Sequence, residues 1–176
     1  MKSVLDSACK LVLTSIIAYS SSGFAACVNN LVLDTPDDRF RLAGGTAIDK
    51  HTGLMWLRCA LGQQWSNEQD TCTANFDIAG KYDWNGALAI ANGYTAQGHS
   101  DWRLPNKNEL SSIVDRACTG PAINGEVFTG TLNGGYWTST PWRREPGKAW
   151  HVDFTTGTLI GRESDAQFSV YLVRDQ

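Results

Sequence analysis

The sequence predicts an α+β domain in which two helices pack on antiparallel sheet, rich in loops and held by disulfides. Three observations predict it. Residues 83–96 and 106–117 repeat apolar side chains at helical spacing. From residue 135 onward, apolar and polar residues alternate between turn formers. Four cysteines remain once an N-terminal export signal is set aside.

That signal comes first. Met1 and Lys2 open a polar region reaching Lys10, residues 11–19 (LVLTSIIAY) are apolar, and residues 20–26 (SSSGFAA) are mostly small. This order resembles a secretory signal peptide over residues 1–26, leaving residues 27–176 as a single domain. The apolar run is too short to span a bilayer, which takes about 20 residues, and nothing later qualifies as an anchor. No polar face repeats within it, which weighs against a buried N-terminal helix. The chain is therefore expected to be bacterial and secreted, periplasmic or on the cell surface.

Cys9 leaves with the signal, and Cys27, Cys59, Cys72 and Cys118 remain. Four cysteines allow three pairings. Cys59 and Cys72 flank the polar stretch LGQQWSNEQDT and are expected to close it, which pairs Cys27 with Cys118. Phe24-Ala25-Ala26-Cys27 also loosely resembles a lipoprotein processing site, but lipidation of Cys27 would leave Cys118 or another thiol without a partner. The absence of a CxxC pair gives no indication of a zinc site.

Residues 39–41 and 46–49 read as short strands, residues 49–53 as a turn with Gly53 at positive φ, and residues 54–59 as the return strand. Asp83 is a good N-cap for the first helix, whose buried face is Trp84, Ala87, Leu88 and Ala91. Asn106 can cap the second, with Glu109 completing a box and Leu110, Ile113 and Val114 as its stripe. Residues 136–140, 149–154, 158–162 and 168–174 read as a meander, so the sheet is expected to come largely from the C-terminal half. Seven Trp, six Phe and five Tyr beside 17 Gly suggest a core built on aromatics. Trp56, Trp65, Trp84, Trp102, Trp137 and Trp150 are its candidates.

Several blocks now become specific. They are Thr52-Gly53-Leu54-Met55-Trp56, Cys59-x-Leu61-Gly62-Gln63-x-Trp65 with Cys72, and Asp101-Trp102-Arg103-Leu104-Pro105-Asn106 with Glu109-Leu110 and Ser112-Ile113-Val114. Pro121-Ala122-Ile123-Asn124 with Phe128, Tyr136-Trp137-Thr138-Ser139-Thr140, Trp150-x-Val152-x-Phe154-x-x-Gly157 and Val173-Arg174 follow. In this order they resemble the Lcl-type C-terminal domain family, named for the C-terminal domain of a bacterial collagen-like adhesin. The resemblance runs from about Cys27 to Arg174. It implies an exported domain like that adhesin's, which recognises sulfated glycosaminoglycans and assembles as a trimer; the collagen-like repeats are absent here. The Arg-Leu-Pro and Tyr-Trp blocks also resemble the wider C-type-lectin-like fold, which includes formylglycine-generating enzymes. Those enzymes use late cysteines, and none follows Cys118. Some relatives are similar to targets of diversity-generating retroelements, which implies a variable protein-binding scaffold as an alternative.

Candidate ligand-binding residues sit in two late loops. Trp142 lies in Pro141-Trp142-Arg143-Arg144-Glu145-Pro146-Gly147-Lys148, an aromatic beside Arg143, Arg144 and Lys148 with turn formers at both ends. Such a set suits a sugar face stacked on the indole, with the cations meeting sulfate or carboxylate. The plainer alternative is a solvated loop with a half-covered Trp. Arg162, Glu163 and Asp165 belong to a second polar loop, and His151 is expected on the sheet face near both, depending on register. Arg103 is read as scaffold, paired with Asp101 or Glu109.

No cofactor is expected. Glu163, Asp165 and Asp153 are possible calcium donors, but nothing resembles a known calcium loop. Nor is an enzyme expected. His51, His99 and His151 lie in unrelated segments, Ser139 has no glycine elbow, and Asp37-Asp38 are mere neighbours. The formal charge of −3 argues against nucleic acid. The expected partner is a glycan, a host or cell-surface polyanion, or a protein ligand, with an oligomer possible. The function expected is that of an adhesin-type binding domain, with an envelope enzyme of unrecognised type as a further alternative.

Overall fold

The computed structural model describes residues 26–28, 31–74 and 80–176, so the expected signal peptide lies outside the described residues apart from Ala26. The strands are β1 (Ala26–Cys27), β2 (Phe40–Ala43), β3 (Thr46–Asp49), β4 (Leu54–Leu57), β5 (Gln63–Ser66) and β6 (Thr71–Ala74). Helices α1 (Trp84–Ala91) and α2 (Lys107–Ser111) follow, then β7 (Cys118–Thr119), β8 (Gly135–Pro141), β9 (Lys148–Asp153), β10 (Thr158–Glu163) and β11 (Val173–Asp175). Among the described residues no helix is long and apolar enough to cross a membrane. Among the described residues the fold is α+β, with four antiparallel sheets and two α-helices.

The hairpin predicted near the start is present: β3 pairs with β2 and β4, and Gly53 closes its turn at φ +73°. Beneath the turn Asp49 accepts bonds from Arg39 Nε, Thr52 Oγ1 and the His51 amide. Burial pushes the Asp49 carboxyl up, but these bonds outweigh it and hold the group below the usual carboxylate range.

The meander is shorter than expected. β8, β9 and β10 form a three-stranded sheet, whereas β11 crosses to pair with β4 and completes the sheet β11-β4-β3-β2. The sheet structure is thus divided between both halves of the chain. Val170, Tyr171, Leu172 and Val173 are consecutively buried, so this segment has no solvent face for alternation to mark. It passes between two apolar clusters. Phe40, Trp56, Phe128, Tyr136, Phe154 and Tyr171 centre one, with Tyr136 and Tyr171 stacked at 5.1 Å. Trp102, Leu104, Trp137 and Leu172 centre the other.

Both helices start where expected and stop early. Asp83 accepts from the Gly86 amide at 2.6 Å, and Trp84 Nε1 donates to Thr138 O at 2.8 Å, which docks α1 on β8. α1 ends at Ala91 because Asn92 turns extended and Gly93 takes φ +79°. Asn106 and Glu109 form a complete capping box on α2. Beyond Ser111 the chain leaves the helix: the Asp115 carboxylate takes the Thr35 amide and hydroxyl and the amide of Ala117 two residues on, an alternative to helical bonding. Leu110, Ile113 and Val114 are nonetheless buried. Cys27 bonds to Cys118 and Cys59 to Cys72, the pairing that loop spacing suggested.

Candidate functional site

The β8–β9 turn carries the predicted aromatic and its cations. Trp142 N–H donates to Lys148 O at 2.9 Å, and Gly147 takes the positive φ that brings the chain round. The indole does not stand out as an exposed loop residue. It folds back onto Gly161 of β10, where any Cβ would overlap the ring. It also stacks on Trp150 with centroids 5.0 Å apart and planes 26° off parallel. Trp150 faces Gly161 across the β9–β10 ladder, so both indoles share one face of the hairpin.

α2 supplies a further cation. Lys107 N–H donates to Thr140 Oγ1 and Ser139 N–H to Pro105 O, which fixes the start of the helix against β8. Lys107 Nζ then lies 5.4 Å from the Trp150 ring and Lys148 Nζ 5.6 Å from the Trp142 ring. Lys107, Trp142, Arg143, Arg144 and Trp150 line a groove of about 310 Å³.

The four cations are not equivalent. Lys148 is held by Glu145 at 2.5 Å and Glu163 at 3.3 Å, and the bond to Glu145 above all raises its pKa. Among the described residues Lys107, Arg143 and Arg144 enter no ion pair, and both arginines are exposed. The charge available to a ligand therefore comes from these three.

The Asp101-Trp102-Arg103-Leu104-Pro105 block is scaffold in its contacts. Arg103 makes a bidentate pair with Glu109, both bonds 2.9 Å, and reaches Asp175 at 3.1 Å. Asp101, the other partner considered for it, is taken by Arg174 at 2.7 Å and 3.0 Å. Glu109 also accepts the Asn106 backbone amide, so Arg103, through Glu109 and Asp175, joins the helix cap to the last strand. The family model described as the Lcl C-terminal domain matches residues 45–174. The chain belongs to the Lcl C-terminal domain family. The match begins at Gly45, inside the span the quoted motifs suggested, so Cys27, β1 and β2 of this Lcl domain precede it. A search of the curated proteins finds no match to the chain.

The remaining predicted residues do not join the groove. In this Lcl domain His151 is not on an accessible sheet face: it is 2% exposed, stacked on Phe168 at 4.4 Å and edge-on to Trp137, with Nδ1 unpartnered. Arg162 pairs with Ala149 in the ladder and points to the face opposite Lys148. Glu163 is spent on Lys148, and Asp165 sits in the turn beyond β10. The suggested calcium donors diverge. Asp153 faces Thr158 at one end of the hairpin and Glu163 faces Lys148 at the other, about 16 Å along the strand.

Sequence reading assigned Trp150 to the core and passed over Lys107 and Gly161. Only Gly161 carries a local signal, since a glycine inside a strand often marks close approach of another group.

Buried His151 has a solution consequence. Burial pulls its pKa below the ordinary value; the Ile160 backbone and Asp153 oppose this, and Arg162 reinforces it. The unfolded chain then binds more protons than the folded one as pH falls below about 6.5, so acid costs stability there. The loss in urea-unfolding free energy between about pH 7 and pH 5 is expected to be smaller in His151→Gln than in wild type. Equal losses would show that the imidazole is not charged against burial.

Proposed function

We propose that this Lcl domain is an exported binding module for anionic glycans, sulfated chains above all, rather than an enzyme. The observation that carries the reading is the stacked Trp142–Trp150 pair edged by Lys107, Arg143 and Arg144, none of which a carboxylate of the described residues neutralises. A pyranose presents a C–H face that packs on an indole, and a guanidinium meets a sulfate or carboxylate with two parallel bonds. The two disulfides fit an oxidising compartment outside the cytoplasm. Seating the indole on Gly161 gives the ring a fixed place before a ligand arrives, which lowers the ordering cost of binding. A C-type-lectin-like platform and an adhesin role belong to the same proposal. The dispersal of the histidines also favours binding: His51 lies in the β3–β4 turn, His99 in an isolated bridge with Ala96, and His151 in the core.

Retention on immobilised heparin under a rising salt gradient tests the reading, because contacts between exposed charges are screened by salt. Arg143→Ala/Arg144→Ala is expected to elute well before wild type. Its affinity should fall about a hundredfold, at about 1.5 kcal/mol net for each arginine lost. Lys148→Ala should elute close to wild type, since that ammonium already has its carboxylates. Equal retention of wild type and the double variant would remove the groove as the binding site.

A further inference from the structure

A second concavity is aromatic like the first but differs from it in its polar groups. It holds about 330 Å³, at the lower end of the range of small-molecule sites, about 300–1,000 Å³. The exit of β4, the β5 strand and the turn at residues 94–97 form it, and it shares no lining residue with the indole groove. Trp65 and Tyr94 supply two aromatic rings. Gln63, Gln64 and Gln97 supply amides, and among the described residues no Lys, Arg, Asp, Glu or His contributes to the lining.

The polar groups divide into those that hold the wall and those left over. Gln63 accepts from the Ala60 amide and donates to Gly130 O, and Trp65 Nε1 donates to Asn67. Among the described residues the side chains of Gln64 and Gln97 and the Tyr94 hydroxyl bond to no protein group, yet all three residues line the cavity. Gln97 is held at φ +51°, a backbone conformation rare for any residue but glycine. Its amide approaches over Gly45, where a Cβ would come within 2.8 Å of Nε2 and 3.0 Å of Trp65 Cβ. The Arg58 guanidinium, 4.1 Å from the Trp65 ring, backs the indole.

We propose that this pocket is a second ligand site that takes a neutral saccharide, either one sugar residue or the end of a chain. A carboxamide both donates and accepts, which matches two adjacent hydroxyls that each do the same. The aromatic rings receive the apolar face of the sugar. A sulfate or carboxylate entering here would give up part of its water without meeting a cation among the described lining residues. The two sites of one domain therefore sort ligands by charge.

The test titrates the oxidised full chain with cellobiose, maltose, lactose and diacetylchitobiose, and with a sulfated heparin disaccharide as control, following Trp fluorescence and calorimetric heat. At least one neutral disaccharide should bind saturably with a dissociation constant tighter than about 10 mM. Gln64→Ala/Tyr94→Phe should weaken that binding about tenfold or more. Gln97→Gly should weaken it too while holding or raising the melting temperature, because glycine relaxes the left-handed backbone as the amide is lost. Arg143→Ala/Arg144→Ala should leave neutral-sugar binding unchanged, so failure at heparin and failure here are separate results. Three outcomes would overturn the proposal: no saturable binding of any of the four neutral sugars, equal binding by the Gln64/Tyr94 double variant, or displacement of the bound sugar by the sulfated disaccharide.

Discussion

Arg58→Ala is expected to destabilise the oxidised protein by about 4 kcal/mol, within the range for breaking a buried charged network, and to lower its melting temperature by roughly 8–16 °C. The side chain is 2% exposed, and its guanidinium spans three stretches of chain. Nε donates to Val127 O at 2.8 Å, Nη2 to Glu126 O at 3.0 Å and Nη1 to Gly44 O at 3.1 Å. One face packs on Trp65 at 4.1 Å. Burial lowers the Arg58 pKa, and the exposed Asp70 carboxylate, 3.4 Å away, opposes this. An arginine nevertheless stays protonated, so the cost of burying the charge is borne by those carbonyls and that ring. Alanine would strand the buried Val127 carbonyl, remove the part-buried bonds to Gly44 and Glu126 and leave a cavity. Arg58→Met separates the two terms. It restores most of the volume but none of the donors, and about half of the loss should remain. A melting temperature within about 1 °C of wild type for Arg58→Ala would show that the guanidinium does not join these segments.

Arg58 also shows where sequence reading stops. Its surroundings, Leu57-Arg58-Cys59, read as the end of a strand, and nothing local marks a buried cation; its acceptors lie 14, 68 and 69 residues away. What was legible is what a few neighbours decide. The Asp83 cap, the Asn106–Glu109 box and the Gly53 turn each follow from chemistry within four residues. The helix ends were less legible, because α2 is cut short by Asp115 capturing Thr35 from 80 residues upstream. The path of residues 168–173 was misread because their burial comes from both sides at once. In the groove the sequence showed the aromatic and its cations. Whether Trp142 stands out or lies down is decided by Gly161, in the next strand but one, and by Trp150 beside it. Lys107 joins only because the capping box and Thr140 place the start of α2 there.

The second large effect is expected from the bridge at the N-terminus. Cys27→Ala/Cys118→Ala should cost about 4 kcal/mol, and Cys59→Ala/Cys72→Ala about 3 kcal/mol. The two bridges close loops of very different size, with sequence separations of 91 and 13. On the chain-entropy account the longer loop restricts the unfolded chain more and so stabilises the folded one more. One effect works against this ranking. β1 pairs with β7 over only two residues, so the reduced N-terminal segment can fray and recover some entropy in the folded state. Fraying is stopped at Thr35, which is buried and holds Asp115 through its amide and hydroxyl and Asn124 through its carbonyl. Only the few residues before it gain freedom, which trims the full loop value slightly. Urea midpoints at constant slope report the ranking directly. If removing Cys59–Cys72 proves the costlier change, or removing Cys27–Cys118 costs nothing, the N-terminal segment stands outside the cooperative unit. Residues 45–174, the span of the family match, would then carry the stability without it.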